Sequence, residues 1–231
     1  MENRTDCTTC SSKVHGTFKC IRRETMESVD REKINTHFKK KEIIFHENEK
    51  IRGFYCIKSG LARIYKTTNT GKEQTFQIAS RGKWLGFRDV ISGLEYNHTA
   101  VCLEDSELCY ISEETTKRLI KSDGMFQIEV LKYLAEEWKG IENHVHSMGT
   151  KQVHSRLAEL LILFHNASDK DAEVSINVTR EVMASCIGTT KETIIRSLSD
   201  FKDRNWIKVE KNNIKIVNPK ALYSLAEAIE E

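Results

Sequence analysis

The stretch TREVMASCIGTTKETIIRSLSDF, residues 179–201, decides how this chain is read. Thr179 can cap a helix that starts at Arg180, with Val182, Cys186 and Ile187 turned inward. Ala184 is small, as a closely crossing second helix requires. Gly188 supplies the backbone freedom for a sharp turn. Thr189 or Thr190 can cap the next helix, and Thr189 with Glu192 has the spacing of a capping box. In that second helix Ile194, Leu198 and Phe201 recur at i, i+4 and i+7, which makes a buried stripe. Lys191, Glu192, Ile195, Arg196 and Ser199 then fall on the opposite face.

A helix with its charges outside, clustered in the first two turns, suits the major groove of DNA. There an arginine can pair with guanine O6 and N7, and a glutamate can accept from cytosine N4. Glu192 and Arg196 can also brace one another at i, i+4. Two short strands follow, Trp206–Val209 and Ile214–Val217, around Lys211, Asn212 and Asn213. They turn the helix-turn-helix into a winged helix whose lysines can lie against phosphates. Thr179, Arg180 and Thr190, at the two helix starts, join the set expected to touch DNA.

Upstream, residues 151–166 read as a broadly apolar helix of a domain core, and ASDKDAEVS as a polar loop. Residues 113–148 read as helix, with Leu131, Leu134, Trp138, Ile141, Val145 and Met148 alternating by three and four. That is a heptad seam flanked by charge, and it predicts pairing with the same helix of a second copy. Residues 38–115 have another texture. EIIFHE, GFYCIKSG, LARIYKTT, EQTFQIA, HTAVCLE and ELCYIS are strand-like, and six of the chain's 11 glycines punctuate them. A small antiparallel sandwich or jelly roll follows.

The whole is an α+β chain of 231 residues. Its expected domains are a cysteine-bearing arm (1–25), a jelly-roll sensor (26–120), a dimerisation helix (121–149) and a winged helix-turn-helix (150–231). No stretch reads as a signal peptide or a membrane span, so a cytoplasmic protein is expected. A net charge of +2 confines any basic surface to a local patch. Seven cysteines without an export signal argue for reduced thiols or a metal site rather than a disulfide framework. Asp89, His98 and Cys102 follow no nucleophile spacing, and His144 and His146 at i, i+2 point apart on a helix, so no enzyme is expected.

In this order, sandwich, seam helix and winged helix resemble the CRP/FNR superfamily, that of the cyclic-AMP receptor protein and the fumarate-and-nitrate-reduction regulator. KKKEIIFHENEKIRGFYCIKSGLARIYK and residues 179–201 carry the likeness, which covers the chain from about residue 38 onward. The resemblance implies a homodimer that binds a near-palindromic site on double-stranded DNA, and an RNA polymerase contact if it activates. It also implies a shared half-site core read by Glu192 and Arg196, with Ile195 where the oxygen-sensing branch has serine. Lys191 takes the place of an arginine in the cyclic-AMP branch, and a phosphate contact is its expected role.

Cyclic-nucleotide binders carry glycine–glutamate and then arginine–serine or –threonine; here GKWLGFRDVISGLEYNHTA puts Phe87 and Asn97-His98-Thr99 in those places. Arg88 is a stray cation, and the stretch argues against cyclic AMP. The oxygen-sensing branch holds a [4Fe–4S] cluster on three N-terminal cysteines and one in the sandwich. Cys7, Cys10 and Cys109 match three of those positions, while the third arm ligand is expected at Gly16 and Cys20 lies beyond it. Redox-active thiols, a zinc site or an empty remnant stand as alternatives to the cluster, with Cys56, Cys102 and Cys186 as buried structural thiols. A different function class, a thiol or metal sensor acting through protein partners with a vestigial DNA domain, is the alternative reading.

Overall fold

The computed structural model describes residues 7, 9, 10, 22–167, 175–211 and 213–227. Two compact units are formed. The first takes the chain up to Lys66 together with Gln77–Lys139, and the second takes Thr67–Phe76 and Gly140 onward.

Helix α1 (Arg23–Glu32) opens the described fold. Its periodicity is weak in the sequence, because only Met26 and Val29 mark its apolar side, and both are buried in the core of the first unit. Two antiparallel sheets follow. One has the order β1-β8-β3-β6, built from Ile34–Phe38, Ser106–Ser112, Gly53–Ser59 and Trp84–Leu85. The other has the order β2-β7-β4-β5, from Ile43–Phe45, Thr99–Cys102, Ala62–Thr67 and Glu73–Ala79. Non-sequential neighbours such as β8 between β1 and β3 are the mark of a jelly roll, which covers most edges of the sheets. A short helix α2 (Phe87–Ser92) and an aromatic cluster of Phe54, Trp84 and Phe87 fill the core.

The stretch from 113 to 148 is two helices rather than one. Helix α3 (Glu113–Ser122) ends at Asp123, whose backbone is extended, and α4 (Gly124–Thr150) begins anew and runs 27 residues. Asp123 makes the break useful. Its carboxylate accepts from the backbone N–H groups of Met125 (2.9 Å) and Phe126 (3.3 Å), and from the Thr25 hydroxyl of α1. One side chain therefore caps α4 and ties α1 to it. On α4, Phe126, Val130 and Tyr133 turn inward at helical spacing, and the Tyr133 hydroxyl bonds both backbone groups of Trp84.

The second unit packs α5 (Val153–Ala167) against α6 (Arg180–Ile187), α7 (Lys191–Asp203) and α8 (Pro219–Glu227). A three-stranded sheet of order β10-β11-β9, from Ile207–Glu210, Asn213–Ile216 and Ser175–Asn177, closes it. The strand β9 falls at the end of the segment read as a polar loop; residues 168–174 and residue 212 lie outside the described residues. Leu157, Leu161, Met183, Ile194, Phe201, Ile214 and Leu222 form its buried interior.

The Thr25 hydrogen bond, reinforced by the N–H groups of α4, holds the Asp123 carboxyl below the usual range. A carboxylate with a depressed folded-state pKa stabilises the fold above the unfolded pKa of about 4, and that stability is lost as pH falls through the folded value. Asp123→Ala should cost about 0.5–2 kcal/mol at pH 7. The gap between wild type and variant should close as pH drops below about 4, measured by urea unfolding at several pH values.

Candidate functional site

The exposed face of α7 is built by its caps. Gly188 ends α6 in the left-handed region at φ 63°, and the Thr189 N–H returns to the Ala184 carbonyl at 3.1 Å. Thr190, not Thr189, then caps α7, its hydroxyl accepting from the Thr193 N–H at 3.3 Å. The expected capping box of Thr189 and Glu192 does not form. Glu192 instead sits at the second helical position, where its own backbone N–H and the Thr190 hydroxyl hold its carboxyl below the usual range. Ile194, Ser197, Leu198 and Phe201 are buried, which leaves Lys191, Glu192, Ile195, Arg196 and Ser199 exposed as the sequence predicts.

Other positions depart from expectation. Met183 is the fully buried residue of α6 alongside Cys186 and Ile187, while Val182 is only half-buried. Lys191 is not a free cation, because its ammonium lies 2.5 Å from Glu181 of α6. Reaching a phosphate therefore means exchanging one carboxylate for another anion. Arg180 is half-buried, and its guanidinium points to the carbonyls of Val178 (3.5 Å) and of Lys211 at the wing (3.4 Å). Sequence reasoning missed Glu181, whose place opposite Lys191 depends on how α6 crosses α7.

Along α4, Leu131, Trp138 and Val145 are 66%, 67% and 64% exposed, and Ile141 is exposed with them. Leu134 instead packs partly on the core of the first unit, and Met148 is half-buried with its terminal methyl close over Gly188. Ile128, exposed at heptad spacing from Leu131, replaces Leu134 in the apolar stripe. Leu134 and Met148, expected in the seam, are thus partly covered by the chain itself.

Thiols collect around the first sheet, with Cys109 and Cys56 on its two central strands, β8 and β3. Cys7 packs on the core, its backbone N–H bonded to Asp30 and its Sγ 3.1 Å from the Lys33 ammonium. Lys33 is a buried lysine paired with Asp30 at 2.7 Å, placed there by the end of α1. Cys109 donates to the Asn35 side chain at 3.4 Å. Burial pushes Cys7 up to about 11, against the hydrogen bond from Lys33, and pushes Cys56 well above its ordinary value. Burial also raises Cys109, whose environment includes Lys33, Cys10 and Asp30. Cys20 lies outside the described residues. Among the described residues no three His, Cys, Asp or Glu groups stand close enough together to hold a single metal ion. Cys56, Cys102 and Cys186 are buried, and none of them is in a disulfide.

Where a cyclic-nucleotide binder needs a carboxylate, Phe87 lies inside the core, 1% exposed. Arg88 donates to His98 at 3.0 Å, and burial together with the Arg88 and Lys66 charges lowers His98 to about 4. That imidazole is neutral at physiological pH. Among the described residues, no helix is long and apolar enough to cross a membrane.

A sandwich, a long helix and a winged helix-turn-helix define a class of protein, and comparison with known proteins gives the same answer. The family model of the cyclic nucleotide-binding domain matches residues 35–123, and that of the Crp-like helix-turn-helix domain matches residues 155–225. The fumarate and nitrate reduction regulatory protein of Yersinia pestis is 29% identical over 191 residues, 81% of this chain and 76% of its own length. Its counterpart in Vibrio cholerae is 28% identical over 192 residues, with the same coverage. The structure of FixK2 from Bradyrhizobium japonicum superposes with a TM-score of 0.77 at 21% identity, covering 86% of this chain and 99% of the other. The chain belongs to the CRP/FNR superfamily of transcriptional regulators.

Thr190→Ala should lower stability by about 1 kcal/mol through loss of the cap, whereas Thr189→Ala should change it far less. The urea midpoints of the two variants measure the difference.

Proposed function

We propose that the chain is a dimeric, sequence-specific DNA-binding regulator controlled by a redox or metal signal sensed at the N-terminal thiols. The observation that carries the DNA half of this reading is the exposed face of α7. Glu192, Ile195, Arg196 and Ser199 line it while Ile194, Leu198 and Phe201 hold the opposite side in the core. Major-groove reading needs this division, since base edges are reached only by side chains that the fold does not use. Glu192 and Arg196 are assigned the shared half-site core, and Ile195 an apolar contact such as a thymine methyl. Lys191, released from Glu181, and Thr190 are assigned to the sugar-phosphate backbone, with Thr179 and Arg180 near the wing.

Dimerisation through α4 supports the second half-site. Leu131, Trp138, Ile141 and Val145 form an apolar stripe on a helix about 40 Å long, too large to leave in water without a partner. Two copies paired along that stripe would bring two α7 helices to the complex, one for each half of a near-palindromic site.

For the signal, the curated relatives are named for fumarate and nitrate reduction, which favours the oxygen-sensing branch. The residues present fit a [4Fe–4S] cluster in kind. Cys7 and Cys109 sit near a buried cation, Lys33, that can offset the negative charge of a thiolate-bound cluster. A cubane takes one thiolate on each iron, so its ligands need not crowd as they would around one ion. Cys7, Cys10 and Cys109, with Cys20 from the arm, are the ligands assigned; the cluster would supply oxygen-sensitive redox chemistry at the end of the sandwich. Binding and loss of the group would shift the population of DNA-competent dimers. Cyclic AMP is not assigned, because Phe87 offers its ribose no acceptor.

Arg196→Ala should lower affinity for the selected site by about 1–3 kcal/mol and relax preference at one base pair, while Lys191→Ala should weaken all sequences alike. Selection from a random duplex pool, followed by competition binding at fixed salt, measures both. A pool that returns no motif would overturn the reading and favour a sensor that works through protein partners. Trp138→Glu should convert the dimer to monomer in sedimentation velocity and abolish binding to the full palindrome. Iron and sulfide assay with a visible spectrum after anaerobic purification tests the cluster.

A further inference from the structure

Across the first sheet, Asn35, Cys109, Cys56 and Trp84 stand in one row, paired strand to strand from β1 through β8 and β3 to β6. Cys56 and Cys109 are thus directly opposed, and opposed residues of an antiparallel pair project from the same face. Both are free thiols, and both are 8% exposed.

The hydrogen-bond pattern sets their spacing. Ile57 sends its N–H to Lys83 (3.0 Å) and its carbonyl accepts from Gly82 (2.9 Å), so its backbone groups face the β6 side. Neighbouring residues in a strand face opposite ways, so those of Cys56 face β8 and meet Cys109 as a hydrogen-bonded pair. The Cα atoms of such a pair are about 5.5 Å apart, within the range of about 4.4–6.8 Å that disulfides span. In a hydrogen-bonded pair the Cβ atoms sit at the wider end of about 4.5–5.5 Å, beyond the roughly 3.5–4.5 Å of a relaxed disulfide, so closure must draw the strands together by about 1 Å and the bond it makes is strained and readily reduced. One weak contact has to break, the Cys109 thiol turning away from Asn35.

We propose that Cys56 and Cys109 form a reversible cross-strand disulfide when the chain meets a peroxide or a comparable two-electron oxidant. One sulfur takes an oxygen from the peroxide and a first water leaves, giving a sulfenic acid. The other sulfur attacks it, the S–O bond breaks as the S–S bond forms, and the oxygen departs with the second thiol's proton as a second water. Two electrons pass from the thiols to the peroxide, and a dithiol returns them. The bond itself depends on no metal. Its consequence does rest on the ligand role proposed for Cys109, since a sulfur held in a disulfide cannot bind iron. Cys56 is then the residue that withdraws Cys109 from metal binding under oxidation.

The test uses the full chain, metal-free and fully reduced, exposed to hydrogen peroxide or to diamide. Unreduced digestion and mass spectrometry should yield a peptide pair joined through Cys56 and Cys109, with both lost from thiol labelling and both restored by dithiothreitol. Recovery of Cys56 and Cys109 as labelled thiols while the arm cysteines are oxidised would overturn the proposal. In a second arm, oxidised protein is supplied anaerobically with ferrous iron and sulfide but no thiol reductant. Wild type should take up less iron than its reduced form, and Cys56→Ala should take up the same amount before and after oxidant. Cys56→Ser gives the same readout should the alanine variant fold poorly. A mapped disulfide with undiminished iron uptake would keep the bond and overturn the ligand role of Cys109.

Discussion

The left-handed turn at Gly188 is the constraint on which the DNA-binding half depends. At φ 63° a residue with a side chain is strained, and a Cβ at this place would meet the Met148 methyl at 2.3 Å. Glycine lets α6 end abruptly, lets Thr190 begin α7 three residues after Ile187, and fixes the rotation of α7 about its own axis. That rotation decides which side chains are core and which are outside. A turn of one residue in this register would bury Ile195 and expose Ile194, and the face with Glu192 and Arg196 would be lost.

Charge placement follows from the same geometry. Glu192 lies in the first turn of α7, where orphan N–H groups favour a carboxylate, so it is an anion ready to accept. Lys191 is paired with Glu181 of α6 on the exposed surface. The net charge of +2 is small, so any basic surface is confined to a local patch.

In the first unit the buried pair Lys33–Asp30 plays a comparable part. It anchors the end of α1 and brings Cys7 beside the sheet that holds Cys109 and Cys56. The Lys33 ammonium works against the effect of burial on the Cys7 thiol, and burial makes that charge count for more than it would at the surface. The α1 helix links this cluster, through Thr25 and Asp123, to the start of the long helix α4.

By itself the sequence determined the features that come from local rules. The α6–turn–α7 unit, the wing, the strand-rich first half and the exposed face of α7 were legible because periodicity, caps and glycine turns act over a few residues. Cys7, Cys10 and Cys109 are joined into a candidate ligand set by resemblance alone, not by any local rule. Tertiary structure alone decided the rest. The Asp123-Gly124 pair is a local break signal that the helical periodicity around it obscured, but nothing local says that Leu134 faces the chain's own core while Ile128 does not, or that Thr190 wins the cap from Thr189. Nor can a string of residues show Cys56 opposite Cys109, Lys33 against Cys7, or Glu181 over Lys191. Those pairings join residues up to tens of positions apart, and they are set by strand register and helix crossing, which depend on how the whole interior packs.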